Sequence, residues 1–289
     1  MSPAMTKPPQ TGTPALTDLR KEIDRIDEAM HKLLMERGEI IDRLIAAKNT
    51  QEVGSAFRPA READMMRRLV ERHRGILPLD TAESIWRVII STFTHVQAPF
   101  SVHADLSAGD AAMRDSARFH FGFTVPFVAH TGASSVVAAV SKSKGDLGLV
   151  PAFAAPHAGA WWTALEFESA PKVIARLPFI ERADHPAALP VFVVSRAAPD
   201  AMVTETEMWS VHVTGWGPDA GRAAAVVAPL IAVPDPMADD GAALLVSVPA
   251  GSKIGDVTAA LVKAGAKLTS SALVGGHATR YTVPAHKPK

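Results

Sequence analysis

The chain has no cysteine among its 289 residues. That excludes a disulfide framework and thiolate metal sites. It has no excess of either charge, with 30 Lys plus Arg against 30 Asp plus Glu, which argues against a nucleic-acid or membrane-surface role. No apolar run approaches the ~18 residues of a membrane span. The opening MSPAMTKPPQTGTPA has no apolar signal core, so residues 1–15 read as a disordered leader and the chain as soluble and cytoplasmic. The eleven His are scattered without His-Glu-x-x-His or similar ligand spacing. No Gly-x-Gly-x-x-Gly, Walker loop or Gly-x-Ser-x-Gly elbow is evident.

Residues 16 to about 49 contain no Pro and only Gly38 as a weak point. Leu16, Leu19, Ile23, Ile26, Met30, Leu33, Leu34, Ile41, Leu44 and Ile45 follow a helical period. One continuous helix here is ~50 Å long at 1.5 Å per residue. A stripe of that length is not buried by a three-helix monomer and calls for a partner chain. Thr50 to Ser55 reads as a connection. Pro59 suits the first turn of a second helix and Gly75 its end. Asp80 with Glu83 has the spacing of a capping box for a third helix, which carries Ile85, Trp86, Ile89, Ile90 and Phe93 and stops near Gln97.

After Pro99, helix-like stretches (GDAAMRDSARF, SSVVAAVSKSKG, GRAAAVVAPL) alternate with apolar runs (FTVPFVAH, DLGLVPA, KVIARLPF, PVFVVS), the pattern of an α/β fold with a mixed or parallel sheet. We divide it into residues 104–236 and a segment 237–289 that reads strand, helix, strand, strand. That segment is either a small α+β end domain or a continuation of the sheet. Adjacent Trp161 and Trp162 suit the lining of a ligand cleft or, more commonly for such pairs, core packing, and Gly275-Gly276-His277 suits a turn before a strand.

Arg37 and Lys48 lie eleven residues apart, about 1100° of helix, and emerge within ~20° of one another. Two cations on or beside an apolar stripe are costly to desolvate unless they meet an anion. Singly, Arg20, Arg37, Lys48, Arg61, Glu62 and Gln97 are ordinary solvated helix residues. Their joint order is more specific. LTDLRKEIDRID, LLMERGEI, AAKN, FRPAREAD and IWRVIISTFTHVQ, in that sequence over residues 16–98, resemble the all-helical chorismate mutases.

The resemblance implies a three-helix domain assembled as an intertwined homodimer around chorismate. The reaction is the pericyclic Claisen rearrangement of chorismate to prephenate, an isomerase step of aromatic amino acid biosynthesis that needs no cofactor. It also implies roles. Arg37 would clamp one substrate carboxylate and Arg20 of the other subunit the second. Lys48 and Gln97 would donate to the breaking ether oxygen. Arg61 would support the carboxylate network and Glu62 would accept from the substrate hydroxyl. Two positions depart from some relatives: Arg58 stands for an Asp, and Phe93 for a Ser.

A mutase helix domain followed by an α/β region resembles the bifunctional chorismate mutase–prephenate dehydratases, whose second part is a two-lobed, periplasmic-binding-protein-like dehydratase with a small regulatory domain. GDLGLVPA resembles their cleft-lining strand and loop. HTGASS, opening a helix, either presents N–H groups to an anion or is a plain cap. The family's catalytic Thr-Arg-Phe would fall on Pro190, Val191 and Phe192. A pyrrolidine ring donates no proton to a leaving hydroxyl. The reading is therefore a mutase on a catalytically degenerate α/β scaffold. The alternatives are a true bifunctional enzyme and a non-catalytic regulator.

Overall fold

In the computed structural model, residues 15–48, 56–153, 158–196, 205–235 and 238–283 are described. The expected leader (all but residue 15) and the connection Thr50–Ser55 lie outside them. The chain divides into two compact units at Asn49/Thr50. The first holds one helix, α1 (Leu16–Lys48), unbroken over 33 residues as its Pro-free period predicts. Its apolar stripe is open: Leu16 is 74% exposed, Ile23 57%, Met30 51% and Leu33 64%.

The second unit begins with α2 (Pro59–Arg72), with Pro at its first turn, and α3 (Leu79–Gln97). The cap of α3 differs from expectation. Its N-cap is Pro78, without a side-chain cap, and Glu83 is fully buried on a partner described below. Strands and helices then alternate: β1 (Val102–Asp105), α4 (Asp110–Phe121), β2 (Phe127–His130), α5 (Ala133–Ser141), β3 (Leu147–Pro151), a short 3-10 helix (Trp161–Leu165), β4 (Lys172–Leu177), β5 (Ile180–Glu181) and β6 (Val191–Ser195). The order β2-β1-β3-β6-β4 makes one lobe, with β1, β2 and β3 parallel and β6 antiparallel to both neighbours. β3 and β6 are buried at every residue, as their unbroken apolar runs require of central strands. Gly148 in β3 lets α5 approach, since a Cβ there would stand 2.6 Å from a Val136 methyl. The α/β region is thus present, but as a single lobe. Among the described residues no second lobe faces it.

The chain continues with β7 (Thr206–Thr214), α6 (Pro218–Val227), β8 (Leu230–Pro234), β9 (Ala242–Pro249), α7 (Ile254–Lys263), β10 (Lys267–His277) and β11 (Tyr281–Thr282). Strands β7 to β10 form a βαββαβ unit of antiparallel order β10-β7-β9-β8, the ferredoxin-like arrangement. It begins at Thr206, so strands on both sides of residue 237 belong to it. It also continues the sheet, through the pairing of Gly275 with Val173 of β4.

Gly275-Gly276-His277 is not a turn. It is the end of β10, with a register irregularity between Leu273 and Gly275. Three cores follow from these layers. Phe57, Met66, Leu69 and Ile90 of the α2–α3 region share one core with Phe100, Val102, Phe121 and Phe179. The α5 valines and both tryptophans fill the opposite face, as core packing requires of Trp161 and Trp162. α6 and α7 cover the ferredoxin-like strands.

Candidate active site

Arg20, Arg37 and Lys48 belong to the first unit, and Arg61, Glu62 and Gln97 to the second. Arg20 is exposed, Arg37 is half-buried, and Lys48 is the last residue of α1, its side chain lying outside the described residues. On α2, Arg61 is exposed while its neighbour Glu62 is buried. Gln97 ends α3, where its Nε2 donates to the Phe93 carbonyl at 3.0 Å. An amide nitrogen carries two hydrogens, so one donor remains for a substrate oxygen. The departures have local roles: Arg58 is the N-cap residue of α2, and Phe93 supplies that carbonyl.

Glu62 is the best-defined of the six. Its Oε2 accepts from Arg87 Nη1 at 2.7 Å, and both side chains are almost fully buried. Burial raises the Glu62 pKa above the usual carboxylate range, against the opposing pull of the Arg87 charge, its hydrogen bond and the Arg58 main-chain N–H. Sequence reasoning passed over Arg87. The signal was there in IWRVII, a guanidinium inside an otherwise apolar run of a helix.

Elsewhere in the second unit, the Pro190 carbonyl accepts from Ala152 N–H at 2.9 Å, and Val191 and Phe192 are buried in β6. The Thr and Arg of a dehydratase are absent there, although the Arg176 guanidinium lies 5.8 Å from the Phe192 ring centre. The HTGASS helix has Gly132 at its N-cap and no side-chain cap, so its hydroxyls do not serve as a plain cap. Among the described residues, no group of three or more His, Asp or Glu has the placement to hold a metal, and no helix is long and apolar enough to cross a membrane.

His277 is buried against Phe192, and its Nδ1–H donates to the Ala278 carbonyl. Desolvation, the larger influence, lowers its pKa to about 4. A depressed folded-state value means that the neutral ring stabilises the fold above about pH 6.5, and that this stability is lost as pH falls from there through about 4. The total is about 3 kcal/mol. His277→Asn, whose amide replaces the Nδ1–H, is expected to flatten the fall in urea-melt stability between pH 7 and pH 4.5. An unchanged slope would mean that His277 does not carry the effect.

With this geometry in view, residues 19–98 match the family model for chorismate mutase type II. The chain therefore carries a chorismate mutase type II domain spanning α1, α2 and α3. A bifunctional chorismate mutase/prephenate dehydratase of Aquifex aeolicus (strain VF5) is 29% identical over 140 residues, 47% of this chain and 38% of that protein. One of Neisseria gonorrhoeae (strain ATCC 700825 / FA 1090) is 30% identical over 128 residues, 44% of this chain and 33% of that protein. The matched stretch spans only about a third of the length of these relatives. An X-ray structure of prephenate dehydratase from Streptococcus mutans superposes with a TM-score of 0.39 at 13% identity, over 63% of this chain and 100% of that one. A likeness of that size carries no functional weight.

Proposed function

We propose that this protein is a chorismate mutase that converts chorismate to prephenate within aromatic amino acid biosynthesis. The observation that carries the reading is the family match over residues 19–98, the stretch in which Arg20, Arg37, Lys48, Arg61, Glu62 and Gln97 lie. In this reading catalysis resides in residues 16–98, and residues 104–236 and 237–289 are scaffold. The substrate is a dianion, and its rearrangement breaks one C–O bond and forms one C–C bond within a single molecule. The protein's work is to hold the compact conformer and to stabilise charge on the ether oxygen. Arg37, Arg61 and the partner subunit's Arg20 hold the carboxylates, Lys48 and Gln97 serve the ether oxygen, and Glu62 accepts from the hydroxyl. Arg suits bidentate clamps, and Lys suits a point charge. No cofactor takes part, and the enzyme works in the cytoplasm. Loss of chorismate absorbance with purified full-length protein tests the reading; a folded protein without turnover would sink it and favour a non-catalytic role.

The names of the relatives favour a second reading, in which the chain also dehydrates prephenate. Pro190, Val191 and the single α/β lobe weigh against it. Prephenate incubated with the protein is expected to give no phenylpyruvate.

The homodimer is supported by the open stripe on α1. Paired Ile23→Asp and Ile26→Asp changes are expected to convert a dimer to a monomer in light scattering and to abolish turnover, because Arg20 then serves no partner. A parent chain that is monomeric and active would contradict this.

A further inference from the structure

Among the described site residues, Glu62 alone is both buried and held by an ion pair. Its partner Arg87, on α3, is fully buried and reaches two acceptors at once. Nη1 donates to Glu62 on α2 at 2.7 Å, and Nη2 donates to the main-chain carbonyl of His120, in the last turn of α4, at 3.1 Å. The guanidinium carbon lies 5.2 Å from the centre of the Phe179 ring, beyond β4. One cation therefore joins both mutase helices of this unit to the α/β lobe. A helix C-terminus is the negative end of its dipole, which suits the arrangement. The rigid fork of Arg spans two acceptors that a Lys ammonium would reach one at a time. One turn away on α3, Glu83 Oε1 accepts from His185 Nε2–H at 3.1 Å, since His185 Nδ1 accepts from the Ala187 N–H, with Arg182 at 3.8 Å, and the His120 and His185 rings stack at 6.2 Å.

We propose that Arg87 is a positioning residue for the mutase site, locking the Glu62 side chain in one rotamer against the α4 backbone, so that the α/β lobe is a working part of the mutase. The inference rests on the mutase reading and adds to it. A buried carboxylate left without its cation takes up a proton rather than stay charged. A protonated Glu62 is a poorer acceptor for a substrate hydroxyl, and a freed one explores other rotamers. The charged or titratable groups around the pair are Glu62 on α2, Glu83 and Arg87 on α3, His120 on α4, and Arg182 and His185 after β5. His120 is held neutral by burial, then by Arg87 and His185, so it does not substitute for Arg87.

The test uses full-length protein carrying Arg87→Met or Arg87→Lys, with kcat and KM for chorismate measured across pH. In Arg87→Met, kcat is expected to fall about a hundred-fold with a smaller change in KM, the cost of a misplaced group. The acid limb of kcat should move to higher pH. Arg87→Lys should recover part of the rate and part of the acid limb. A folded Arg87→Met with parental kcat and pH profile would overturn the proposal. So would a rate loss that tracks only the unfolded fraction, with the acid limb in place. If Arg87→Met does not fold, titration of Glu62 in Arg87→Lys by carboxyl NMR decides. An upward shift supports the clamp, and an unmoved titration overturns it. Absence of turnover in the parent would sink the mutase reading itself, while the Glu62 titration still reports on the clamp.

Discussion

Lys48→Ala is expected to lower kcat for chorismate by about two to three orders of magnitude while leaving the melting temperature close to that of the parent. The rearrangement has no nucleophile to lose and no metal to displace, so its barrier responds mainly to how well developing charge is met. A single preorganised donor at such an oxygen is worth about 3–4 kcal/mol of barrier. The structural cost is small by comparison. Lys48 is the last residue of α1, where a cation favours the helix dipole by about 0.3–1 kcal/mol when exposed. Because the lost interaction exists mainly in the transition state, kcat should fall more than KM rises. Lys48→Arg should recover the rate only in part, since a planar fork does not reproduce a compact ammonium. An unchanged kcat in Lys48→Ala would remove this residue from the mechanism.

The second large effect concerns the scaffold. Gly275→Ala is expected to abolish soluble, folded protein or to destabilise it by more than about 4 kcal/mol, the range of severe core clashes and forced backbone strain. Gly275 has φ of +135°, and a Cβ placed on it would stand 2.1 Å from the Val173 carbonyl oxygen and 2.6 Å from the Val173 nitrogen. Neither obstacle is a flexible side chain that can swing away. This is also where β10 pairs with β4, so relief of the clash would open the seam between the lobe and the ferredoxin-like strands. Gly255→Ala is the control. It lies in α7 with open space around its Cβ position, and a helical Gly→Ala change there should be neutral or mildly stabilising. A Gly275→Ala protein that melts with the parent would show that the two backbones are not in close approach.

The three mutase helices were legible because their signals are local. An uninterrupted apolar period gave α1 its length, Pro59 marked the start of α2 and Gln97 the end of α3, whereas α2 stops at Arg72, ahead of the Gly75 expected to end it. The Asp80–Glu83 spacing misled for a physical reason. A carboxylate three residues into a helix looks the same in sequence whether it turns back to the N-terminus or inward to His185, and His185 is 102 residues away. Gly275-Gly276 misled in the same way. Two glycines signal either a turn or a close approach of two backbones, and only the neighbouring strand distinguishes them.

By itself, the sequence determined the helical span of residues 16–98, its polar residues in family order, the α/β alternation that follows and the absence of a Thr-Arg pair before Phe192. Each is a matter of residue type and near spacing, which short-range physics translates directly into structure. Only the tertiary structure decided that the α/β region is one lobe, that the ferredoxin-like unit starts at Thr206 and shares the sheet, and that Glu62 lies in a dry interior bound to Arg87 and, through it, to α4. Those features depend on which distant segments meet, and the cost of a buried charge is set by its surroundings rather than by its neighbours in the chain.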